Sequence, residues 1–146
     1  MRLVTVFEGD NIGSVARLEI AYHTDFESWD PATFKSGKSW QSIEITGETA
    51  ELKRKAKDDP NGIVYTYSGF FDVHAIRDEV ELNLMPYVGK RAVLRLTDSN
   101  GRVYIIGKPQ NPIALEEEST TGKLFKNKNG YQFNFLVSQT SPAAAV

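Results

Sequence analysis

Three Asn-Gly pairs constrain this chain more than any other feature of its sequence. They are Asn61-Gly62, Asn100-Gly101 and Asn129-Gly130, and each lies between two segments in which apolar and polar residues alternate. A two-residue hairpin turn of the favoured twist needs positive φ at both central positions, which Asn and Gly tolerate best. The sequence therefore predicts three antiparallel hairpins and a mainly β protein.

The alternating segments extend this prediction along the chain. Strands are predicted at 15–22, 40–46, 48–57, 63–74, 91–97, 102–106, 113–117, 123–127 and 131–138. Segment 75–88 is the one plausible helix, because Ile76, Val80 and Leu84 recur at helical spacing, although strand alternation fits nearly as well. Together these segments predict a single β domain over residues 1–146, a small antiparallel β-barrel or sandwich of about eight strands with one short helix.

Composition and charge argue against several classes of protein. The 146 residues carry a net charge of -2, whereas a dedicated duplex-DNA binder usually has a clear positive excess. The absence of cysteine excludes disulfides and thiolate zinc sites, and two histidines make a histidine-rich metal site improbable. We therefore predict no metal and no cofactor. No apolar stretch approaches the ~20 residues that span a bilayer, and the N-terminus does not resemble a signal peptide, so we expect no membrane partner and a cytoplasmic origin.

No group of residues in the sequence has the pattern of a catalytic site. Glu116, Glu117 and Glu118 are adjacent, so on a strand they point to alternate faces rather than into one cleft. His23 and His74 have no partner at useful spacing. Segment 32–39 matches a relaxed phosphate-loop pattern but lacks the preceding strand and following helix that this chemistry requires. We predict that the chain is not an enzyme.

Two segments are predicted to make contacts with other molecules or to be mobile. Residues 23–39 form a long polar stretch that nevertheless contains three large aromatic residues, and long loops of this kind are often functional. Residues 139–146 have no pairing pattern and are predicted to be a flexible C-terminal tail.

Large aromatic residues are the candidate anchors of a subunit interface. Consecutive Phe70 and Phe71 on one strand place a ring on each face of the sheet, so one ring needs cover from elsewhere. The sequence is equally consistent with an interface to another subunit and with a second sheet or a helix of the same chain that covers both rings. The candidates are Trp29, Phe34, Trp40, Phe70 and Phe71.

The basic run at 53–57 has two interpretations. Its lysines lie near Tyr65 and Tyr67 in sequence, and positive charge beside stackable rings is how single-stranded nucleic acid is held. A small oligonucleotide/oligosaccharide-binding barrel is therefore the alternative to a structural protein. The favoured interpretation is a charged edge strand, because lysines on an edge discourage indiscriminate strand pairing.

The second half of the chain resembles a known class of proteins. The segments concerned are 94–109, Asn111-Pro112, 119–122, 129–135 and 141–143, and the similarity extends over residues 45–143. In these segments the chain is similar to small structural proteins encoded among the tail and neck genes of tailed bacteriophages and prophages of Bacteroidetes.

The resemblance implies a virion component, assembled in the host cytoplasm. Tail-tube, tail-terminator and neck proteins are commonly small β-barrels or sandwiches that form rings around the DNA channel. It implies that the partners are copies of the same chain, other tail or neck proteins, and duplex DNA that passes through without sequence-specific binding. Such a role is mechanical and needs no catalytic residue.

Overall fold

The computed structural model describes residues 3–5, 9, 13–45, 49–127 and 129–145, and the statements below refer to these residues. They form eleven strands and one α-helix. The strands are β1 (Val15–Tyr22), β2 (Phe26–Ser28), β3 (Thr33–Phe34), β4 (Gln41–Ile43), β5 (Glu51–Asp59), β6 (Gly62–His74), β7 (Ala92–Asp98), β8 (Val103–Ile106), β9 (Ala114–Thr120), β10 (Gly130–Gln139) and β11 (Ala144–Ala145). The helix is α1 (Asp78–Asn83). Short 3-10 turns occupy His23–Asp25 and Met85–Tyr87.

The strands form two antiparallel sheets and one short hairpin. Sheet I has the strand order β11-β8-β7-β1-β4, and sheet II has the order β5-β6-β10-β9. The hairpin consists of β2 and β3 alone. Every strand pair in both sheets is antiparallel. The prediction of a mainly β protein with one short helix is therefore confirmed, and the architecture is that of a sandwich rather than a closed barrel.

The main core lies between the two sheets. Strand β10 shows the underlying pattern most clearly, because its residues alternate between buried and exposed from Tyr131 to Ser138. Phe133 on β10 stacks on Phe71 of β6 with ring centroids 5.1 Å apart. Sheet I contributes Leu18, Ile20, Leu94, Leu96 and Ile106 to the same buried cluster. Burial of one apolar face of each sheet is what holds the two layers together.

Two of the three predicted hairpins are confirmed, with a different turn geometry. Asp59 pairs with Gly62, so the β5–β6 turn is centred on Pro60 and Asn61. Gly101 donates its N–H to Asp98 in the β7–β8 turn. Among the described residues of both turns only the glycines have positive φ, +121° at Gly62 and +87° at Gly101. Each turn therefore needs one left-handed residue, which glycine supplies, rather than the two expected from the Asn-Gly pair.

The third predicted hairpin, at Asn129-Gly130, is wrong. Strand β9 runs to Thr120 and pairs with β10 from Gly130, so the described residues 121–127 and 129, called loop 121–129 below, form no strand where one was predicted at 123–127. Asn129 instead holds the segment before α1: its carbonyl accepts the Ala75 N–H at 2.9 Å and its Oδ1 accepts the Ile76 N–H at 2.9 Å. Asn129 therefore fixes the segment before α1 instead of forming a hairpin turn, because the N–H groups of Ala75 and Ile76 lie within hydrogen-bond distance.

The predicted helix and tail differ in their outcomes. The helix predicted over 75–88 is confirmed in part: residues 78–83 form α1 and residues 85–87 a 3-10 turn, with Val80, Leu84 and Tyr87 buried, whereas Ala75 has a positive φ and Ile76 precedes the helix. The tail predicted to be flexible instead returns to the protein: Ala143 donates its N–H to the Tyr67 hydroxyl at 2.7 Å, and β11 pairs with β8. Unpaired backbone groups at the edge of sheet I give the tail its partner.

Candidate subunit interface

The long segment predicted as an interaction loop is folded onto sheet I. Its hairpin β2–β3 lies on the outer face of that sheet, where Phe26 packs with buried Ala21, Val93 and Ile105. The Phe26 ring is stacked on Phe34 with centroids 4.6 Å apart. Trp29 and Trp40 pack against Phe26 in edge-to-face geometry, with ring centroids 5.0 Å and 5.6 Å from that of Phe26. The structure therefore brings Trp29, Phe34 and Trp40 together as a second, smaller core, which is half-buried within one chain.

A buried ion pair lies beside this aromatic cluster. The Arg95 guanidinium donates to both carboxylate oxygens of Glu19, at 3.0 Å and 2.6 Å. Arg95 also lies over the Trp40 ring, with 4.9 Å between its Cζ and the ring centroid. Glu19 is only 4% exposed, so the arginine both neutralises the buried carboxylate and joins sheet I to the aromatic cluster.

The two consecutive phenylalanines have different environments. Phe71 is completely buried between the sheets, so its ring is not available for contacts with another subunit. The prediction of Phe71 as an interface residue is therefore wrong, because the second sheet supplies the cover that the sequence left undecided. Phe70 is half-buried on the outer face of sheet II and remains an interface candidate.

Sequence reasoning missed the most exposed aromatic side chain among the described residues. Phe125 stands completely clear of the protein at the tip of loop 121–129, beside Leu124, which is 55% exposed. Asn127 closes the tip by accepting the Leu124 N–H on Oδ1 at 2.7 Å. Leu124 and Phe125 are adjacent between two lysines, and adjacent residues on a strand point to opposite faces of a sheet, so one of the two would be exposed on any strand. That pattern was the available signal of an exposed apolar side chain.

Further exposed apolar residues lie on α1 and in the segment just before it, which is bonded to loop 121–129 through Asn129. Ile76 precedes α1 and is bonded to the loop through Asn129, and Leu82 is 74% exposed on α1. Exposed apolar groups that collect in one region are typical of interaction sites. We call Ile76, Leu82, Leu124 and Phe125 the helix-end patch.

The two edges of sheet II carry opposite charge. Strand β5 is exposed from Lys53 to Asp58 and presents the predicted basic run, whereas β9 at the opposite edge presents Glu116 and Glu118 to solvent. The interpretation of 53–57 as a charged edge strand is confirmed by the strand order. Sheet I ends instead in strands of two and three residues. Long open edges are therefore a property of sheet II.

The alternative nucleic-acid surface is divided between two faces of sheet II. Tyr67 is buried in the core and Tyr65 packs against it, so both point inward. Leu52 and Arg54 share that inward direction on β5, and Lys53, Lys55 and Lys57 therefore point outward. Lysines and tyrosines on opposite faces do not form one binding surface.

Two cavities open at the boundaries between elements. One, of about 550 Å³, lies between β5 and the β7–β8 hairpin and is lined by Arg54, Arg102, Asp98 and Tyr104 among others. The other, of about 740 Å³, lies between β1, β4 and α1. On its wall Tyr22 stacks on Tyr87 with ring centroids 4.1 Å apart.

Ionisation of the Tyr87 hydroxyl, on the wall of this second cavity, should change the stability of the protein at alkaline pH. Burial, with smaller contributions from Tyr22 and Asp25, raises the pKa of Tyr87 from 10.0 to about 12. The stability that depends on protonated Tyr87 is therefore complete below pH 10 and is lost as the pH rises towards 12, because the unfolded chain ionises first. Urea unfolding followed by tryptophan fluorescence should show a steeper loss of stability in the wild type than in Tyr87→Phe over this range. Parallel losses in the two proteins would contradict this assignment.

Within the described ranges, no cluster of three or more His, Asp or Glu side chains is placed to hold a metal ion. No helix in the part of the chain that the structure describes is long and apolar enough to cross a membrane. No protein-family model, no curated protein and no solved structure matches the chain.

Proposed function

We propose that this chain is a non-enzymatic structural protein of a bacteriophage virion, a tail-tube, tail-terminator or neck subunit that forms a ring with copies of itself. The observation that carries self-assembly is the helix-end patch, in which Phe125 projects from the folded chain with no cover of its own. A folded domain gains nothing by itself from holding a phenylalanine in water, whereas an interface gains an aromatic anchor.

The sandwich architecture and the resemblance of residues 45–143 support the virion assignment. A small β domain with long open sheet edges suits a repeated subunit. The net charge of -2 suits the wall of a DNA channel, since lysine and arginine contacts to phosphate are what retain duplex DNA. The proposed partners are copies of the chain, neighbouring tail or neck proteins, and DNA that passes through. The proposed location is the virion, after assembly in the host cytoplasm.

Replacement of the aromatic anchor tests this proposal. We expect the wild-type protein to form rings or stacked rings, detected by negative-stain imaging and by sedimentation velocity over a range of concentrations. Phe125→Ser should weaken association about 30-fold, which corresponds to loss of a ~2 kcal/mol anchor.

Leu136→Ser is the matched control for this experiment. Leu136 is 55% exposed, like Leu124, but it lies on the outer face of sheet II, away from the helix-end patch. This variant should associate as the wild type does. A wild-type protein that stays monomeric at every concentration, on its own and with DNA present, would overturn the proposed function.

A further inference from the structure

We propose that β5 of one copy pairs with β9 of a second copy, so that sheet II continues from subunit to subunit. This inference rests on the proposed self-assembly and names a second surface that takes part in it beside the helix-end patch. The occupant of each open edge is therefore the opposite edge of another copy of this chain.

The strand directions allow this junction without any rearrangement. Three antiparallel pairings separate β5 from β9 in the order β5-β6-β10-β9, so β5 and β9 run in opposite directions. A second copy related by rotation about an axis roughly along the strands therefore presents its β5 antiparallel to β9 of the first. Such a contact uses two different patches, and repetition of it closes a ring when the rotation divides a full turn.

Face alignment and charge then limit the registers to those that bring outward lysines opposite outward glutamates. Side chains that lie directly opposite in an antiparallel pair share a face. Lys53 and Lys55 point outward on β5, and Glu116 and Glu118 are exposed on β9. Placing Lys55 opposite Glu116 also places Lys53 opposite Glu118. Both outward pairs across the junction are then of opposite charge.

The same register supplies a partner for a buried carboxylate. Glu117 points to the inner face of β9, and its Oε1 atom is buried without a hydrogen-bond partner among the described residues. In the proposed register Glu117 lies opposite Arg54 of the second copy, which also points inward. An arginine is the donor best suited to a carboxylate that would otherwise stay unsatisfied.

Registers shifted by two residues do not place an arginine opposite Glu117. A shift by two residues in one direction places Glu117 opposite Ala56. A shift in the other direction places it opposite Leu52 and brings Glu51 opposite Glu118, which is a pair of like charges. Pairing of β5 with a second β5 brings lysines together. Repulsion between lysines therefore disfavours pairing of β5 with β5, whereas the glutamates of β9 attract the lysines of β5.

Charge reversal of each edge tests the junction. Lys53→Glu with Lys55→Glu makes β5 acidic, and Glu116→Lys with Glu118→Lys makes β9 basic. Each double variant alone should associate about 30-fold more weakly than the wild type, because two attractive pairs become repulsive. An equimolar mixture should recover association, since every junction between unlike copies again joins opposite charges. Circular dichroism checks that each variant is folded before mixing.

A cysteine pair tests the register directly. The chain contains no cysteine, and β5 and β9 of one sheet are about 14 Å apart, which is too far for a disulfide within one copy. Lys55→Cys with Glu116→Cys should therefore yield intermolecular disulfide ladders on oxidation. Lys55→Cys with Glu118→Cys, displaced by two residues on the same face, is the matched control and should cross-link far less.

The outcomes separate this inference from the proposed function. A wild-type protein that assembles, but whose charge-reversed variants assemble equally well, overturns the β5–β9 junction and leaves self-assembly intact. The same conclusion follows if the mixture fails to recover or the control cysteines cross-link as fast. A wild-type protein that does not assemble under any condition overturns the proposed function and this inference together.

Discussion

Gly69→Ala should unfold this protein or destabilise it by at least ~3 kcal/mol, because the added methyl group has no space. Gly69 lies on β6 opposite Leu52 of β5 and Phe135 of β10. A Cβ atom at this position would overlap the backbone carbonyl oxygen of Glu51 and would lie 2.6 Å from Cζ of Phe135. A backbone oxygen cannot rotate away as a flexible side chain does, so the β5–β6 pairing itself would have to shift.

Gly13→Ala is the matched control for this substitution. No atom lies within 4 Å of a Cβ built at Gly13, so the same chemical change meets open space. Urea unfolding monitored by tryptophan fluorescence should place the midpoint of Gly13→Ala near that of the wild type. A Gly69→Ala protein with a wild-type midpoint would show that β5 is not held against β6 as described.

Arg95→Met should destabilise the protein by about 3 kcal/mol, the low end of the range for breaking a buried ion pair. The substitution leaves the Glu19 carboxylate, 4% exposed, without its two arginine hydrogen bonds. It also removes the cation over Trp40. Because the Arg95 side chain is 29% exposed, water can reach part of the vacated space, and the loss stays below that of a fully enclosed pair.

A second arginine on the same carboxylate provides the control. Arg17 approaches Glu19 at 3.6 Å but is 64% exposed, so Arg17→Met should change the free energy of unfolding by less than about 1 kcal/mol. Replacing both Glu19 and Arg95 by methionine should recover most of the loss, because no buried charge then remains unpaired. Equal effects of the Arg95 and Arg17 substitutions in urea unfolding would contradict the assignment.

The two sheets differ in how their surfaces are protected. Sheet I is covered on its inner face by sheet II and on part of its outer face by the β2–β3 hairpin and its aromatic residues. Its edge strands are only two and three residues long. Sheet II has edges of nine and seven residues, with opposite charges. Sheet II is therefore the part of the fold with the most backbone hydrogen-bonding capacity left for another molecule.

Part of the candidate interface could be predicted from the sequence. Trp29, Phe34 and Trp40, which the sequence singled out as candidate anchors, do meet in space. Their contact with a second subunit stays a prediction. Phe125 was missed because the Asn129-Gly130 pair suggested a hairpin, and a hairpin would have placed residues 123–127 on a strand.

Local sequence determined the elements whose information lies within a few residues. Alternation fixed β1 over Val15–Tyr22, helical spacing indicated the short helix α1 within 75–88, and the turn glycines fixed two hairpins. Each of these depends on the backbone and side-chain preferences of adjacent residues. Tertiary structure alone decided three other outcomes. These are which Phe of the pair at 70–71 is buried, where the tail pairs, and the placement of basic β5 and acidic β9 at opposite edges of one sheet. Those outcomes depend on which surface a distant strand covers. Alternation of apolar and polar residues shows that a strand has two faces, but it does not show which part of the chain packs against each face.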